Sequence, residues 1–132
     1  GLEQFDLVLN INVHAQKKLI NELMLRASEN SYIKKSRIQR EPECSRQQYS
    51  IKVMIQDLTI GHLEKKYADL LGESLDQTDF EIGRPIELDA EIIVFEKDDI
   101  ELGCRVKLAL PRDPRTAHQY LIENSQQQFQ EK

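Results

Sequence analysis

The sequence predicts a mostly β, α+β fold: a small antiparallel β-barrel, OB-like or SH3-like, of about six strands with two or three helices. Two observations point to this class. Apolar and polar residues alternate with a period of two in several short segments, which is typical of strands with one buried face. Segments with apolar residues at helical spacing lie between them. The chain has 132 residues, 39% of them apolar, which suits one domain with a single hydrophobic core.

The first part of the chain predicts two strands and one helix. Apolar and polar residues alternate over 5–13, which predicts the first strand. Residues 16–27 follow with leucine, isoleucine and methionine at helical spacing, which predicts an amphipathic helix. A short strand is expected over 37–41, and Pro42 ends it because proline has no amide hydrogen for a sheet ladder.

Residues 49–63 predict a β-hairpin. The alternation is clear up to Ile55, and Asp57 and Leu58 provide a tight connection to a short return strand. The apolar residues of 64–75 then lie on one side of a predicted helix.

The second half of the chain predicts a longer hairpin and a last helix. Strands are expected over 86–94 and 102–110, on either side of an acidic turn, and a helix over 115–128. We therefore expect residues 1–113 to form the barrel and residues 114–132 to form a C-terminal helix and tail.

The charge distribution favours a role for the first half of the chain in binding anions. The net charge of −5 at pH 7 argues against a protein that coats phosphates non-specifically. Residues 1–66, however, carry 11 Lys and Arg against 8 Asp and Glu, whereas residues 67–132 carry 7 against 15. An anionic ligand is expected to contact the first half if these charges share a face. The alternative is a coincidental gradient over a solvated surface.

The cysteines and histidines form neither a disulfide framework nor a metal-binding pattern. Cys44 and Cys104 are far apart in the sequence, so two reduced thiols in a cytosolic protein are expected. His14, His62 and His118 occur singly, whereas a structural zinc site needs clustered ligands. We expect no metal and no cofactor.

Motifs of enzymes and of targeting signals are missing from the sequence. It holds no GxSxG elbow, no P-loop and no HExxH motif, so we expect no catalytic activity in this chain. No apolar run is long enough for a membrane span, and no signal-peptide pattern opens the chain, which predicts a cytoplasmic location. The first residue is Gly1, from which we expect a cleaved tag or an excised fragment of a longer protein. Any helicase, nuclease or hydrolase activity would then lie in other domains or partners.

One stretch of the sequence carries a recognisable motif. Residues 38–53 read IQREPECSRQQYSIKV, and residues 59–68 read TIGHLEKKYA. These residues form four consecutive parts: an Arg-acid-Pro turn, a loop, an Ile-x-Val strand, and an apolar-Gly-His-Leu segment that leads into a helix. In this order they resemble the HIRAN domain, a family that binds nucleic-acid ends. The resemblance is specific over residues 38–71 and loose over 5–110.

The resemblance implies a pocket for the end of a single DNA strand with a free 3′ hydroxyl. In the family this pocket is built from three places. The third place, a Gly-His-Leu segment with a following lysine, matches here as Gly61, His62, Leu63 and Lys65. His62 and Lys65 would then contact phosphate. Arg40 matches the arginine of the Arg-acid-Pro turn.

The first two places of the family pocket differ in this chain. After the first strand, Ala15 stands where the family has an aromatic residue, next to His14. In the loop, Arg46 takes the place of an aromatic residue, and Gln47 takes that of the aspartate that holds the 3′ hydroxyl. Arg46 could stack on a base through its guanidinium plane. The nucleic-acid-binding residues implied by the resemblance are His14, Arg40, Arg46, Gln47, Gly61, His62 and Lys65.

Three functions follow from these observations. The first is a non-enzymatic nucleic-acid-binding module that recognises single-stranded DNA or DNA ends in repair or processing. The second is a protein-interaction domain that has kept the HIRAN-like fold and lost the DNA-end pocket. In that case the C-terminal helix, with Leu121 and Ile122, would dock a protein partner or a second copy. The third is an enzyme whose site has no readable motif.

Overall fold

The computed structural model describes residues 6–41, 50–76 and 85–130. Within these residues the chain forms six strands and three helices. In chain order they are β1 (Leu7–Leu9), α1 (Val13–Leu23), β2 (Tyr32–Arg40), β3 (Ile51–Ile55), β4 (Leu58–His62), α2 (Lys65–Asp76), β5 (Ile86–Glu96), β6 (Leu102–Leu108) and α3 (Pro114–Gln130).

The six strands form one curled, antiparallel sheet in the order β1-β6-β5-β2-β3-β4. The predicted fold class, a mostly β, OB-like half-barrel with three helices, is therefore confirmed. The hairpins β3–β4 and β5–β6 were both expected from the sequence. The long strands β2 and β5 pair with each other and hold the two hairpins in one sheet.

The first strand and the first helix meet earlier than the alternation predicts. β1 has only three residues, and α1 begins at Val13. The cause is Asn12, whose side-chain oxygen accepts a hydrogen bond from the Ala15 amide at 2.8 Å and caps the helix. Helix α1 then ends at Leu23 because Met24 adopts a left-handed conformation with φ of 55°. The alternation that we assigned to a strand thus continues into a helix.

Strand β2 is longer than the segment predicted over 37–41. It begins at Tyr32, five residues earlier, and its first part pairs with β5 while its last part pairs with β3. The first part of β2 is rich in polar residues, so it shows no alternation of apolar and polar residues from which a strand could be predicted. Ser36, for example, points into the core, where its hydroxyl donates a hydrogen bond to the Leu88 carbonyl at 3.0 Å.

The hydrophobic core lies on the inner face of the curled sheet, beneath the helices. Strands β3, β5 and β6 contribute every second residue to this core. Helices α1, α2 and α3 contribute the apolar residues of their inward faces. The most deeply buried members are Leu19, Val53, Ala68, Leu71, Ala90, Ile92, Val106, Leu108, Leu110, Ala117 and Leu121. Each aliphatic side chain buried in this way contributes roughly 1.5–3 kcal/mol.

Helices α2 and α3 pack against each other, and α1 packs against β6 and β4. The Tyr67 hydroxyl donates a hydrogen bond to the Pro111 carbonyl at 2.7 Å, which ties α2 to the segment before α3. Burial, and then the nearby Asp113 carboxylate, raise the pKa of Tyr67 well above its usual range. Leu121 of α3 lies in the core and is not available to a docking partner, whereas Ile122 remains partly exposed.

Candidate nucleic-acid interface

A β-bulge sets the direction of His62. Val53 pairs with Gly61 and Met54 with Thr59, so β4 has one extra residue, Ile60, at this point. The extra residue breaks the alternation of the strand. The Ile60 side chain is therefore buried, whereas His62, two residues later, is exposed on the outer face of the sheet. His62 pairs with Lys52 of β3, whose side chain lies on the same face.

The two outer strands of the curled sheet meet at Gly61. A Cβ atom on this residue would lie 3.3 Å from the Asn10 carbonyl oxygen and 3.3 Å from Ile11 Cγ2. Both neighbours belong to the connection between β1 and α1. Glycine lets the two backbones approach closely, because any side chain here would crowd the connection. The segment after β1 and the Gly-His-Leu segment, two of the three places implied by the resemblance, are therefore adjacent.

Glu41 joins the ends of three strands on the outer face. Its backbone amide donates a hydrogen bond to the Ser50 carbonyl at 2.9 Å. Its Oε1 accepts a hydrogen bond from the Ser50 hydroxyl at 2.7 Å and lies 2.8 Å from His62 Nε2. The His62 and Glu41 side chains keep 52% and 34% of their surface exposed, so a ligand in solution can reach both groups.

Two lysines lie beside this pair. Lys52 is the cross-strand neighbour of His62, and Lys65 is the exposed first residue of α2, three positions after His62. Within the part of the chain that the structure describes, neither lysine has an acidic side chain at ion-pair distance. We call the group of His62, Lys52, Lys65 and Glu41 the β4–α2 corner. It offers three basic groups and one carboxylate.

Two basic residues of β2 on the outer face, Lys35 and Arg37, are already paired with acids. Lys35 Nζ lies 2.7 Å from the Asp89 carboxylate on the neighbouring strand. Arg37 lies 3.6 Å from the Asp57 carboxylate and donates a hydrogen bond to the Gln56 carbonyl at 3.0 Å. Such cross-strand pairs support the sheet and leave little positive charge for a phosphate.

The other site residues implied by the resemblance lie in different surroundings. His14 is exposed in the first turn of α1. Arg40 is only 9% exposed and points to the inner side of the sheet, so it supports the fold and does not face a ligand. Arg46 and Gln47 lie outside the described residues. Gly61, His62 and Lys65 thus lie within five residues of the chain at the junction of β4 and α2, whereas Arg40 lies on the opposite side of the sheet from His62.

Three residues in or beside the corner were not among the candidates from the sequence. Glu41 belongs to the Arg-acid-Pro motif, and Ser50 and Lys52 occupy the polar positions of the β3 alternation. The alternation placed Ser50 and Lys52 on the outer face. The position of Lys52 beside His62, however, depends on how β4 pairs with β3, and the contact of Ser50 with Glu41 depends on how β3 pairs with β2. The sequence pattern therefore indicated on which face of the sheet these side chains lie, but it did not indicate which residues they contact.

Cys104 lacks the properties of a nucleophile. Its side chain is buried, and burial raises the pKa of the thiol to about 11, so that it is protonated at neutral pH. The Gln16 side chain packs beside it and accepts a hydrogen bond from the Cys104 amide at 3.2 Å. This surrounding suits a cysteine that fills the core.

Two further classes of site are missing from the described residues. No group of three or more His, Cys, Asp or Glu side chains in 6–41, 50–76 and 85–130 could hold a metal ion. Over the same residues, no helix combines the length and the apolar character needed to cross a membrane.

A scan against protein-family models and searches of curated proteins and of solved structures found no match to this chain. The resemblance to HIRAN domains therefore rests on the sequence motif, and it stays a prediction.

Proposed function

We propose that this chain is a non-enzymatic nucleic-acid-binding module that contacts single-stranded DNA through the β4–α2 corner. The observation that carries the proposal is the cross-strand pair of His62 and Lys52 on the outer face, with the exposed Lys65 three residues after His62 and the close contact between Gly61 and the β1–α1 connection next to it. The motif order that resembles HIRAN domains agrees with this surface.

The chemistry of the corner suits the phosphates of a single strand. Lysine and protonated histidine side chains pair with phosphate oxygens, and such contacts provide most of the affinity of sequence-independent binding. Lys65 opens α2, where the free backbone amides of the first turn also favour negative charge. With three basic groups in a chain of net charge −5, the binding is expected to be weak and to depend strongly on salt.

The proposal is tested by fluorescence anisotropy of labelled oligothymidine at low salt, with the reversal variant Lys65→Glu. We expect a dissociation constant tighter than about 100 μM for the wild type and at least about tenfold weaker binding for the variant. Oligonucleotides with a free or a phosphorylated 3′ end show whether the end itself is recognised. Absence of binding to both, or binding that Lys65→Glu leaves unchanged, refutes the proposal.

Arg105→Glu provides a matched control. Arg105 is exposed on the same outer face and pairs with Ile93, seven residues beyond Ile86 along β5. Since Ile86 is aligned with the β3 residues beside the corner, Arg105 is displaced from it by roughly 23 Å along the strands. The control makes the same charge change as Lys65→Glu and should alter the affinity less than about threefold.

A protein-interaction domain is the second candidate. Ile33 and Phe95 are large apolar residues of the sheet that keep 51% and 36% of their surface exposed, on the face that the helices leave uncovered. Exposed apolar side chains on one face favour contact with another protein. A chain that binds no DNA and sediments as a concentration-dependent dimer supports this candidate, whereas a strict monomer with DNA affinity opposes it.

A further inference from the structure

Glu41 lies at the position where a phosphate bound to His62 would lie. Its Oε1 is 2.8 Å from His62 Nε2, which is the distance of a strong charge-assisted hydrogen bond. A phosphate oxygen that approached the same nitrogen would need the same place. Because both groups are anionic acceptors, only one of them can use this donor at a time.

The fold holds this carboxylate in place. Glu41 follows directly on β2, and its backbone amide is bound to the Ser50 carbonyl. The Ser50 hydroxyl also donates a hydrogen bond to the same Oε1 at 2.7 Å. The carboxylate is therefore anchored from the β3 side and presented to the β4 side, and it does not rely on His62 alone for its position.

We propose that Glu41 is an internal competitor for the anion-binding surface of the β4–α2 corner. The inference rests on the proposed function. A phosphate must displace the carboxylate from His62 before it gains the third basic group of the corner, and until then only Lys52 and Lys65 are available to it. The carboxylate also repels a phosphate held by the two lysines, since like charges at close range weaken binding.

The variant Glu41→Gln tests this inference in the full chain. Glutamine keeps the shape of the side chain and an oxygen that accepts from Ser50, but it removes the negative charge. With labelled oligothymidine at low salt, we expect Glu41→Gln to bind at least about tenfold more tightly than the wild type. We also expect the slope of log affinity against log salt to become steeper by about 0.7, the value for one more neutralised phosphate of a single strand.

Glu64→Gln is the matched control. Glu64 is an exposed carboxylate directly before α2, so its removal makes the same change in net charge close to Lys65 while the Glu41–His62 pair remains. The control should raise the affinity less than about threefold and leave the salt slope unchanged. Adding His62→Gln to Glu41→Gln should remove most of the gain, because the released imidazole is its source.

The possible outcomes separate the inference from the proposed function. If the wild type binds and Glu41→Gln binds no more tightly, or if Glu64→Gln gains as much, the inference is wrong and the proposed function stands. If neither the wild type nor Glu41→Gln binds the oligonucleotide, the proposed function and the inference are both wrong. A wild type that does not bind refutes the proposed function, while a Glu41→Gln variant that then binds still supports the inference that the carboxylate competes for the surface. Circular dichroism checks the fold of each variant. Ser50→Ala removes one hydrogen bond to the Glu41 carboxylate without a change in charge, so it should raise the affinity for DNA less than Glu41→Gln does. This variant tests the inference if Glu41→Gln does not fold.

Discussion

At the scale of single residues, Gly61 is the position on which the geometry of the corner depends most. It lets the end of β4 lie against the connection between β1 and α1, and it precedes His62 directly. One of the atoms that a new Cβ would meet belongs to the backbone, the Asn10 carbonyl oxygen. Backbone atoms move less readily than the ends of flexible side chains, so the site has little room to relax.

Gly61→Ala is therefore expected to destabilise the protein by about 1–2 kcal/mol, because the added methyl group forces the two outer strands apart. The free energy of unfolding in urea measures this cost. Thr59→Ala, an exposed change on the same strand, serves as a control and should stay within about 0.5 kcal/mol of the wild type. Equal stability of Gly61→Ala and the wild type would contradict the close approach.

At the scale of elements, the turn between β5 and β6 shows how a carboxylate organises a hairpin. The Asp98 side chain accepts hydrogen bonds from the amides of Ile100 and Glu101, at 2.8 Å and 2.7 Å. These two backbone hydrogen bonds, with smaller contributions from Lys97 and Lys17, lower the pKa of Asp98 below its ordinary value of 3.8. The acidic tip of this hairpin is thus a structured turn and not a run of unbonded charges.

The lowered pKa of Asp98 predicts how the turn responds to acid. A carboxylate whose pKa is lower in the folded state contributes stability that is fully present above its unfolded pKa and is lost as the pH falls through the folded pKa. The stability difference between the wild type and Asp98→Asn should therefore shrink as the pH falls from about 5 to about 2. Urea unfolding of both proteins across this range measures it. A difference that is constant with pH would show that the ionised carboxylate contributes nothing.

At the scale of the whole molecule, α3 belongs to the core of the domain. Ala117 and Leu121 are fully buried against the rest of the fold, and α3 lies along α2. The sequence predicts a C-terminal helix and tail over 114–132 outside the barrel, with Leu121 available to a partner. The buried side chains instead give the helix a role in stabilising the sheet and α2.

Leu121→Ala should accordingly cost about 2–5 kcal/mol of unfolding free energy, the range for a leucine removed from a packed core. Ile122→Ala is the matched control on the same helix. Since Ile122 is partly exposed, its truncation should cost less than about 1.5 kcal/mol. Thermal or urea unfolding compares the two variants. A Leu121→Ala protein as stable as Ile122→Ala would mean that α3 is not part of the core.

The sequence by itself determined the fold class, both hairpins and the motif that surrounds His62. These features follow from local patterns: alternation with a period of two identifies strands, and apolar residues at helical spacing identify helices. The same patterns misplaced the start of α1 and most of β2. The Asn12 side chain decided the start of α1, and pairing with β5 on one side and β3 on the other decided the length of β2.

Only the tertiary structure decided which residues meet at the corner. Glu41 follows β2, Ser50 precedes β3 and His62 ends β4, so their contacts depend on the strand order and on the bulge at Ile60. A bulge shifts the register by one residue, which turns every later side chain of the strand to the other face. No local pattern contains this information, because register is fixed by the packing of whole strands against the core.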